Sequence, residues 1–225
     1  MKYKRNDLCG LLVVDKPIGW SSMTVVRRVR RAAGGAKTGH AGTLDPLATG
    51  VVVCALGRAT KAIEHLMAGV KVYDAEVDLS AFTPTDDREG EREVVSVDRP
   101  PTEAEVVEAA GRFVGQIEQR PPDFSAIHVQ GQRAYQRARR GESIDIPMRR
   151  VRIDAIELAD YTFPLARLRV TCGKGVYIRS LARDLGVALG TGGHLAALRR
   201  LRVGDYDLSM AVTAERLESP IEQPD

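Results

Sequence analysis

The stretch Gly39-His40-Ala41-Gly42-Thr43-Leu44-Asp45-Pro46-Leu47-Ala48-Thr49-Gly50 puts three glycines and a proline into twelve residues, directly ahead of the unbroken apolar run Val51-Val52-Val53-Cys54-Ala55-Leu56. A run of that length and character reads as a buried strand. The chain therefore leads a stiff, glycine-punctuated loop straight into its core, a rigidity that a mere connector does not need. Asp45 stands before Pro46, which biases it toward extended backbone and projects its carboxylate away from the chain. One reading is a carboxylate held for binding or catalysis; the other is a structural loop. A phosphate cradle is a third, because glycines expose backbone N–H groups. Against it, the spacing is not GxxxxGK[ST], and a central acidic side chain repels phosphate.

Around this loop the pattern alternates between the two regular periods. Gly10 to Asp15 reads as a short buried strand ended by Lys16-Pro17-Ile18-Gly19, and Ser21 or Ser22 caps a helix that runs through Arg31 and stops at Gly34-Gly35. Arg58 to Met67 reads as helix. Lys71 to Leu79 alternates as a strand does and puts Tyr73 on its apolar face. Residues 82–93 are polar and read as a mobile loop. Thr102-Glu103-Ala104-Glu105 is a capping box for a helix ending near Gly115. Farther on come a strand over Ser125 to Val129, a short basic helix over Ala134 to Arg140, and strands near 149–160 and 165–173. A helix from Tyr177 to Gly190 follows, then a short helix ahead of a strand from Leu201 to Tyr206. Strands and helices mix without strict alternation, which predicts an α+β fold: a mixed, largely antiparallel sheet flanked by helices.

Composition removes several classes. No apolar run approaches the ~18–20 residues that cross a bilayer, and the stretch from Leu11 to Val14 is too short for the apolar region of a secretory signal. A cytoplasmic protein without membrane attachment is expected. Cys9, Cys54 and Cys172 form no CxxC pair, and the four histidines lack metal-ligand spacing, so no metal is expected. Charge is unevenly spread: residues 1–70 carry eleven Lys/Arg against four Asp/Glu, residues 71–125 six against fourteen, and residues 126–202 fifteen against six. Two basic blocks around an acidic one fit a polyanionic partner such as nucleic acid, or else solvated helix faces.

A second segment, Cys172-Gly173-Lys174-Gly175-Val176-Tyr177-Ile178-Arg179-Ser180-Leu181-Ala182-Arg183-Asp184-Leu185-Gly186, runs from strand through a glycine turn into helix. It places Arg179 near the helix N-terminus, where the helix dipole disfavours a cation. A surface arginine is the ordinary reading; a buried carboxylate needing a partner explains the position better.

GHAGTLDPLATG followed by Leu56-Gly57-Arg58-Ala59-Thr60-Lys61 closely resembles the catalytic motif of the TruB family of tRNA pseudouridine synthases. So do Gly10-Leu11-Leu12-Val13-Val14-Asp15-Lys16-Pro17 with Gly19, Ser21 and Ser22, the strand bearing Tyr73, Ser125-Ala126 with Gly131 and Ala134-Tyr135, KGVYIRSLARDLG, and Gly193-His194-Leu195 leading to Leu198-Arg199-Arg200-Leu201. These motifs recur in family order over residues 10–206. The resemblance implies that Asp45 is the catalytic carboxylate for turning uridine into pseudouridine, acting as nucleophile toward sugar or base or as a base toward the sugar. It implies that Tyr73 packs on the target base, that Arg179 pairs with the catalytic aspartate and keeps it ionised, and that Tyr177 and Leu198 line the uracil pocket. It implies that His40 contacts RNA near the extruded base, and that Lys16 and Pro17 support the site. No cofactor and no metal are implied. The implied partner is tRNA, at uridine 55 of the T-arm stem-loop, bound by a monomer.

Two departures qualify the match. His128 stands where family members commonly carry lysine, and bacterial members usually continue into a PUA-type RNA-binding module. Here a catalytic domain over 1–210 with a short acidic tail over 211–225 is expected, without that module. An RNA chaperone without essential catalysis and a guide-RNA-dependent synthase are the competing readings; a chaperone does not need Asp45, and LDPLATG with a short N-terminus fits the stand-alone type.

Overall fold

The computed structural model describes residues 8–125, 128–129, 132–133, 137, 140, 145–218 and 221. In chain order the elements are β1 (Gly10–Lys16), α1 (Ser22–Ala32), β2 (Thr38–His40), β3 (Thr49–Leu56), a 3-10 turn (Gly57–Ala62) running into α2 (Ile63–Ala68), β4 (Lys71–Asp78), β5 (Ala81–Phe82), β6 (Glu93–Val94), α3 (Glu103–Gly111), β7 (Gly115–Gln119), β8 (His128–Val129), β9 (Gln132–Arg133), β10 (Arg149–Thr162), β11 (Leu165–Cys172), α4 (Ile178–Leu189), β12 (His194–Val203) and β13 (Tyr206–Asp207). They form two compact units, Met1–Tyr73 with Leu198–Asp225, and Asp74–Ala197. Strand pairing is mixed and largely antiparallel, with helices alongside, as the residue pattern predicts.

In the first unit the apolar run becomes β3, with Val51, Val52, Val53 and Cys54 wholly buried. Burying a valine side chain contributes about 1.5–3 kcal/mol, so this strand anchors the unit. β1 pairs with it antiparallel from Gly10–Leu56 to Lys16–Gly50, and β2 pairs with its far end, His40 opposite Cys54. β12 runs parallel to its start, Arg199 opposite Thr49 and Arg200 opposite Gly50. Ser21 caps α1 by accepting from the Thr24 N–H, and the helix closes through Gly34 and Gly35, both at positive φ. Val212 extends β1 through a parallel bridge to Val14, and Leu217 is buried.

In the second unit β10 and β11 form a long antiparallel hairpin, and β7 adds to the other edge of β10, from Arg149–Gln119 to Ile153–Gly115. Thr102 and Glu105 make the predicted capping box on α3. α4 ends at Gly190 in the left-handed conformation. Cys172 is buried here as Cys54 is in the first unit, while Cys9 is exposed; none is in a disulfide.

Three expectations change. The helix expected before Leu201 is strand: β12 runs from His194 to Val203, and pairing with β3 and β13 decides it over local preference. Residues 82–93 are no simple surface loop, since Thr83, Asp86 and Asp87 are buried. The helix from Thr102 stops at Gly111, and β7 follows within four residues. Most of the basic stretch over 134–140 lies outside the described residues; of the strand expected over Ser125 to Val129, His128 and Val129 are β8 and residues 126–127 lie outside.

Candidate active site

The loop bearing Asp45 is held by buried polar side chains that bond its backbone. Ser22, in the first turn of α1, donates its hydroxyl to the Leu44 carbonyl at 3.0 Å and accepts from the Leu44 N–H at 2.7 Å. Arg200, 1% exposed, donates to the Gly42, Thr43 and Val51 carbonyls at 3.2, 3.3 and 2.7 Å. Lys16, fully buried, donates to the Pro17, Trp20 and Pro46 carbonyls at 3.1, 2.7 and 3.4 Å. The Gly19 N–H reaches Pro46 as well, and Asp45 closes a turn by accepting from the Ala48 N–H. Leu44 and Leu47 plug into the core on either side, which leaves Asp45 half-buried beside exposed Pro46. Buried hydrogen bonds from charged donors are worth about 1.5–3 kcal/mol each, so this backbone is fixed far more firmly than its glycines suggest. At Gly50 the φ is +103° and a Cβ would lie 2.2 Å from the Arg200 carbonyl oxygen, so only glycine lets β12 approach.

Burial pushes the Lys16 ammonium down to about 8; the Asp45 carboxylate opposes this and Arg200 adds to it. Folding thus disfavours the protonated lysine, and between pH 8 and 10.5 the unfolded chain binds more protons. Stability from this group therefore grows as pH rises through that window and is lost as pH falls through 8. Wild type should gain on a Lys16→Met variant by up to about 3 kcal/mol between pH 8 and 10.5. Urea titrations of both proteins across that range check this, and a flat difference would refute it. His40 is also pulled below its ordinary value by burial, with Arg200 contributing, and its Nδ1 is buried without a hydrogen-bond partner.

Tyr73 on β4 and Leu198 on β12 belong to the same unit, 9% and 8% exposed. Tyr177 and Arg179 belong to the other. There the buried Gln119 side chain bonds both backbone groups of Tyr177, accepting from its N–H at 2.8 Å and donating to its carbonyl at 3.1 Å, and so sets the start of α4. Arg179, 6% exposed, donates to the Thr85 and Phe124 carbonyls at 3.1 Å each and to the Asp87 carboxylate at 3.4 Å. A buried carboxylate thus does face the arginine, and it comes from the segment expected to be a loop. One turn on, Arg183 bonds Asp86 at 2.8 Å. Asp86 adopts φ +57°, a left-handed conformation that few non-glycine residues take up and aspartate takes up more easily than most.

Gln119, Asp86, Asp87 and the clamping role of Arg200 escape a residue-by-residue reading. Their partners lie tens to more than a hundred positions away, and only the isolated acidic pair in a Thr-rich segment hints at them. Among the described residues no three His, Cys, Asp or Glu side chains group as metal ligands, and no helix is long and apolar enough to cross a membrane.

Residues 30–178 match the model of the TruB family pseudouridylate synthase N-terminal domain, and residues 179–223 that of the tRNA pseudouridylate synthase B C-terminal domain. The chain belongs to the TruB family. It is 46% identical to tRNA pseudouridine synthase B of Roseobacter denitrificans over 99% of this chain and 73% of that protein. It is 50% identical to the protein of that name from Corynebacterium diphtheriae over 93% and 72%. Among solved structures the TruB-family chain is similar to one in a Cbf5-Nop10-Gar1 complex, with TM-score 0.71 and 28% identity over 92% of this chain. It is also similar to one in an H/ACA RNP bound to a substrate RNA containing 2'-deoxyuridine, with TM-score 0.69 and 27% identity over 94% of this chain. It spans about half the length of those two solved chains, 52% in each case.

Proposed function

We propose that this protein converts uridine 55 in the T arm of tRNA to pseudouridine, with Asp45 as the catalytic carboxylate, acting as a monomer in the cytoplasm. The observation that carries the reading is the clamp on the Asp45 loop: three buried polar side chains fix the backbone on both sides of one partly exposed carboxylate. A binding surface has no need of that precision, whereas a reacting group gains much from being held in place. Family membership and the tRNA pseudouridine synthase B relatives support the same reading.

The reaction is an isomerisation. The N1–C1′ bond breaks, the base turns, C5 bonds to C1′, and the proton leaving C5 is balanced by one arriving at N1. The uridine must leave its stack, which costs a few kcal/mol. In this reading Tyr73 offers an aromatic face worth about 1–3 kcal/mol to the flipped base, Tyr177 and Leu198 line the uracil pocket, and His40 meets RNA beside it. Lys16 and Pro17 hold the Asp45 loop, and Arg179 is the cation that serves the carboxylate. The basic stretch Arg27-Arg28-Val29-Arg30-Arg31 takes backbone phosphates.

Purified protein incubated with unmodified tRNA transcript, followed by position-resolved mapping, tests this. Pseudouridine is expected at position 55 without any added protein or guide RNA. No pseudouridine at any T-arm uridine would overturn the assignment, and product formed only with a guide RNA would move the chain to the guided class. The higher identity to proteins named tRNA pseudouridine synthase B than to the chains of the Cbf5-Nop10-Gar1 complex and the H/ACA RNP supports the unguided outcome.

A further inference from the structure

Two arginines one helical turn apart on α4, Arg179 and Arg183, meet two consecutive carboxylates, Asp87 and Asp86. Residues four apart in a helix share a face, so the arginines form a ladder. Consecutive residues of an extended chain point to opposite sides, so Asp86 and Asp87 could not both reach that ladder from a plain strand. The left-handed turn at Asp86 resolves this: with φ at +57° the chain reverses there, and both side chains fall toward α4. Aspartate is among the few residues that accept such a conformation readily.

Asp87 has anchors of its own: its carbonyl accepts from the Thr83 hydroxyl at 2.7 Å and the Gly90 N–H at 3.3 Å, and a parallel bridge joins it to Leu195. The Asp86 N–H bonds the Thr83 carbonyl, the Leu195 N–H bonds the Asp86 carbonyl at 3.0 Å, and the Asp87 carboxylate accepts from the Thr85 hydroxyl and the Glu89 N–H. These bonds shape the turn and tie it to β12. Toward the helix, the Asp86–Arg183 pair is the contact flanking Arg179. Arg183 is itself fixed by the Asp184 carboxylate at 2.9 Å and the Arg120 carbonyl at 3.1 Å, and Ser180 donates to that same carbonyl. The Thr85 carbonyl, which Arg179 also uses, immediately precedes Asp86. Any shift at Asp86 therefore moves two of the Arg179 anchors together.

We infer that the Asp86–Arg183 ion pair is a positioning device for Arg179, setting the guanidinium through the turn over Thr83–Asp87. This rests on the reading that Arg179 serves the isomerisation. The groups facing Asp86 are Arg183 and Arg179, which favour its ionised form, and Asp184 and Asp123, which oppose it; burial outweighs the arginines and pushes the carboxyl up to about 6. The pair is thus intact at neutral pH and loosens in mild acid.

The test compares wild type, Asp86→Asn, Arg183→Gln and the double variant, with Arg179→Lys alongside. Asparagine keeps both the size and the tolerance of the left-handed turn, so folding is retained. Asp86→Asn should lower kcat on tRNA roughly tenfold, inside the ~100-fold that slight misplacement can cost, with KM for tRNA nearly unchanged. The double variant should be no worse than the more impaired single one, and the loss of wild-type kcat below about pH 6 should be absent from Asp86→Asn. An unchanged kcat, a loss confined to KM, multiplicative losses in the double variant, or an acid limb that survives in Asp86→Asn would each overturn the inference. Nitrogen-15 spectra of the Arg179 Nε–H give a readout free of activity. That resonance should move in Asp86→Asn and, in wild type, follow a midpoint near pH 6; a resonance indifferent to both refutes the positioning role. If Arg179→Lys keeps full activity, the fault lies in the functional reading, whichever way the spectra fall.

Discussion

Replacing Asp45 by Asn should reduce pseudouridine formation by on the order of 10⁴-fold or more, the upper end of what one positioned proton-transfer group supplies. Binding of tRNA should stay within about threefold, well below the tenfold that 1.4 kcal/mol represents. The substitution is nearly isosteric, and the backbone bonds that shape the loop survive it, from the Ala48 N–H to the Asp45 carbonyl and from Ser22, Arg200 and Lys16 to its neighbours. The loss would therefore belong to the carboxylate charge and not to a collapsed loop. Stopped-flow binding and single-turnover isomerisation on one tRNA transcript separate the two quantities. A chaperone would keep its activity in this variant; retained product formation would falsify the role given to Asp45.

Arg200→Met is the second large effect, and it acts through stability. Methionine fills part of the volume but leaves three carbonyls without their donor, that of Val51 buried and those of Gly42 and Thr43 partly so. An orphaned buried acceptor costs about 1–3 kcal/mol, and the two partly exposed ones less because water replaces the donor, giving a loss of about 3 kcal/mol. That is a large share of the ~5–15 kcal/mol typical of a domain. Urea unfolding of wild type and variant measures it directly. Arg200→Lys, which keeps the charge but offers a single nitrogen, should fall between the two. A loss under 1 kcal/mol would mean the three hydrogen bonds are not holding the loop.

The features that residue pattern discloses are those whose cause is local. The apolar run Val51 to Leu56 is a buried strand wherever it lies, and the Tyr73, Ala75 and Val77 alternation fixes a half-buried one. Ser21, the Thr102–Glu105 box and the glycines at 34, 35 and 190 mark helix ends by bonds within a few residues. What pattern conceals is long-range. Arg199 and Arg200 read as charges on a helix until β3 is laid beside them, when one becomes a partner of Asp15 at 2.7 Å and the other a buried brace. Asp86 and Asp87 read as polar loop because their cause, two arginines more than ninety positions away, is invisible locally. The resemblance supplied roles for Asp45 and Arg179, yet not the means by which either is held.

The thiols offer a way to watch the two units separately. Cys54 lies buried in the first, with its thiol pushed up to about 12 by burial, and Cys172 lies buried in the second, while Cys9 is open to reagent from the start. Alkylation requires thiolate in contact with solvent, so Cys9 modifies at once and the other two react only when their own surroundings come apart. Timed pulses of an alkylating agent in denaturant, read by peptide mass, would then report whether both halves of this chain open in one step or one after the other.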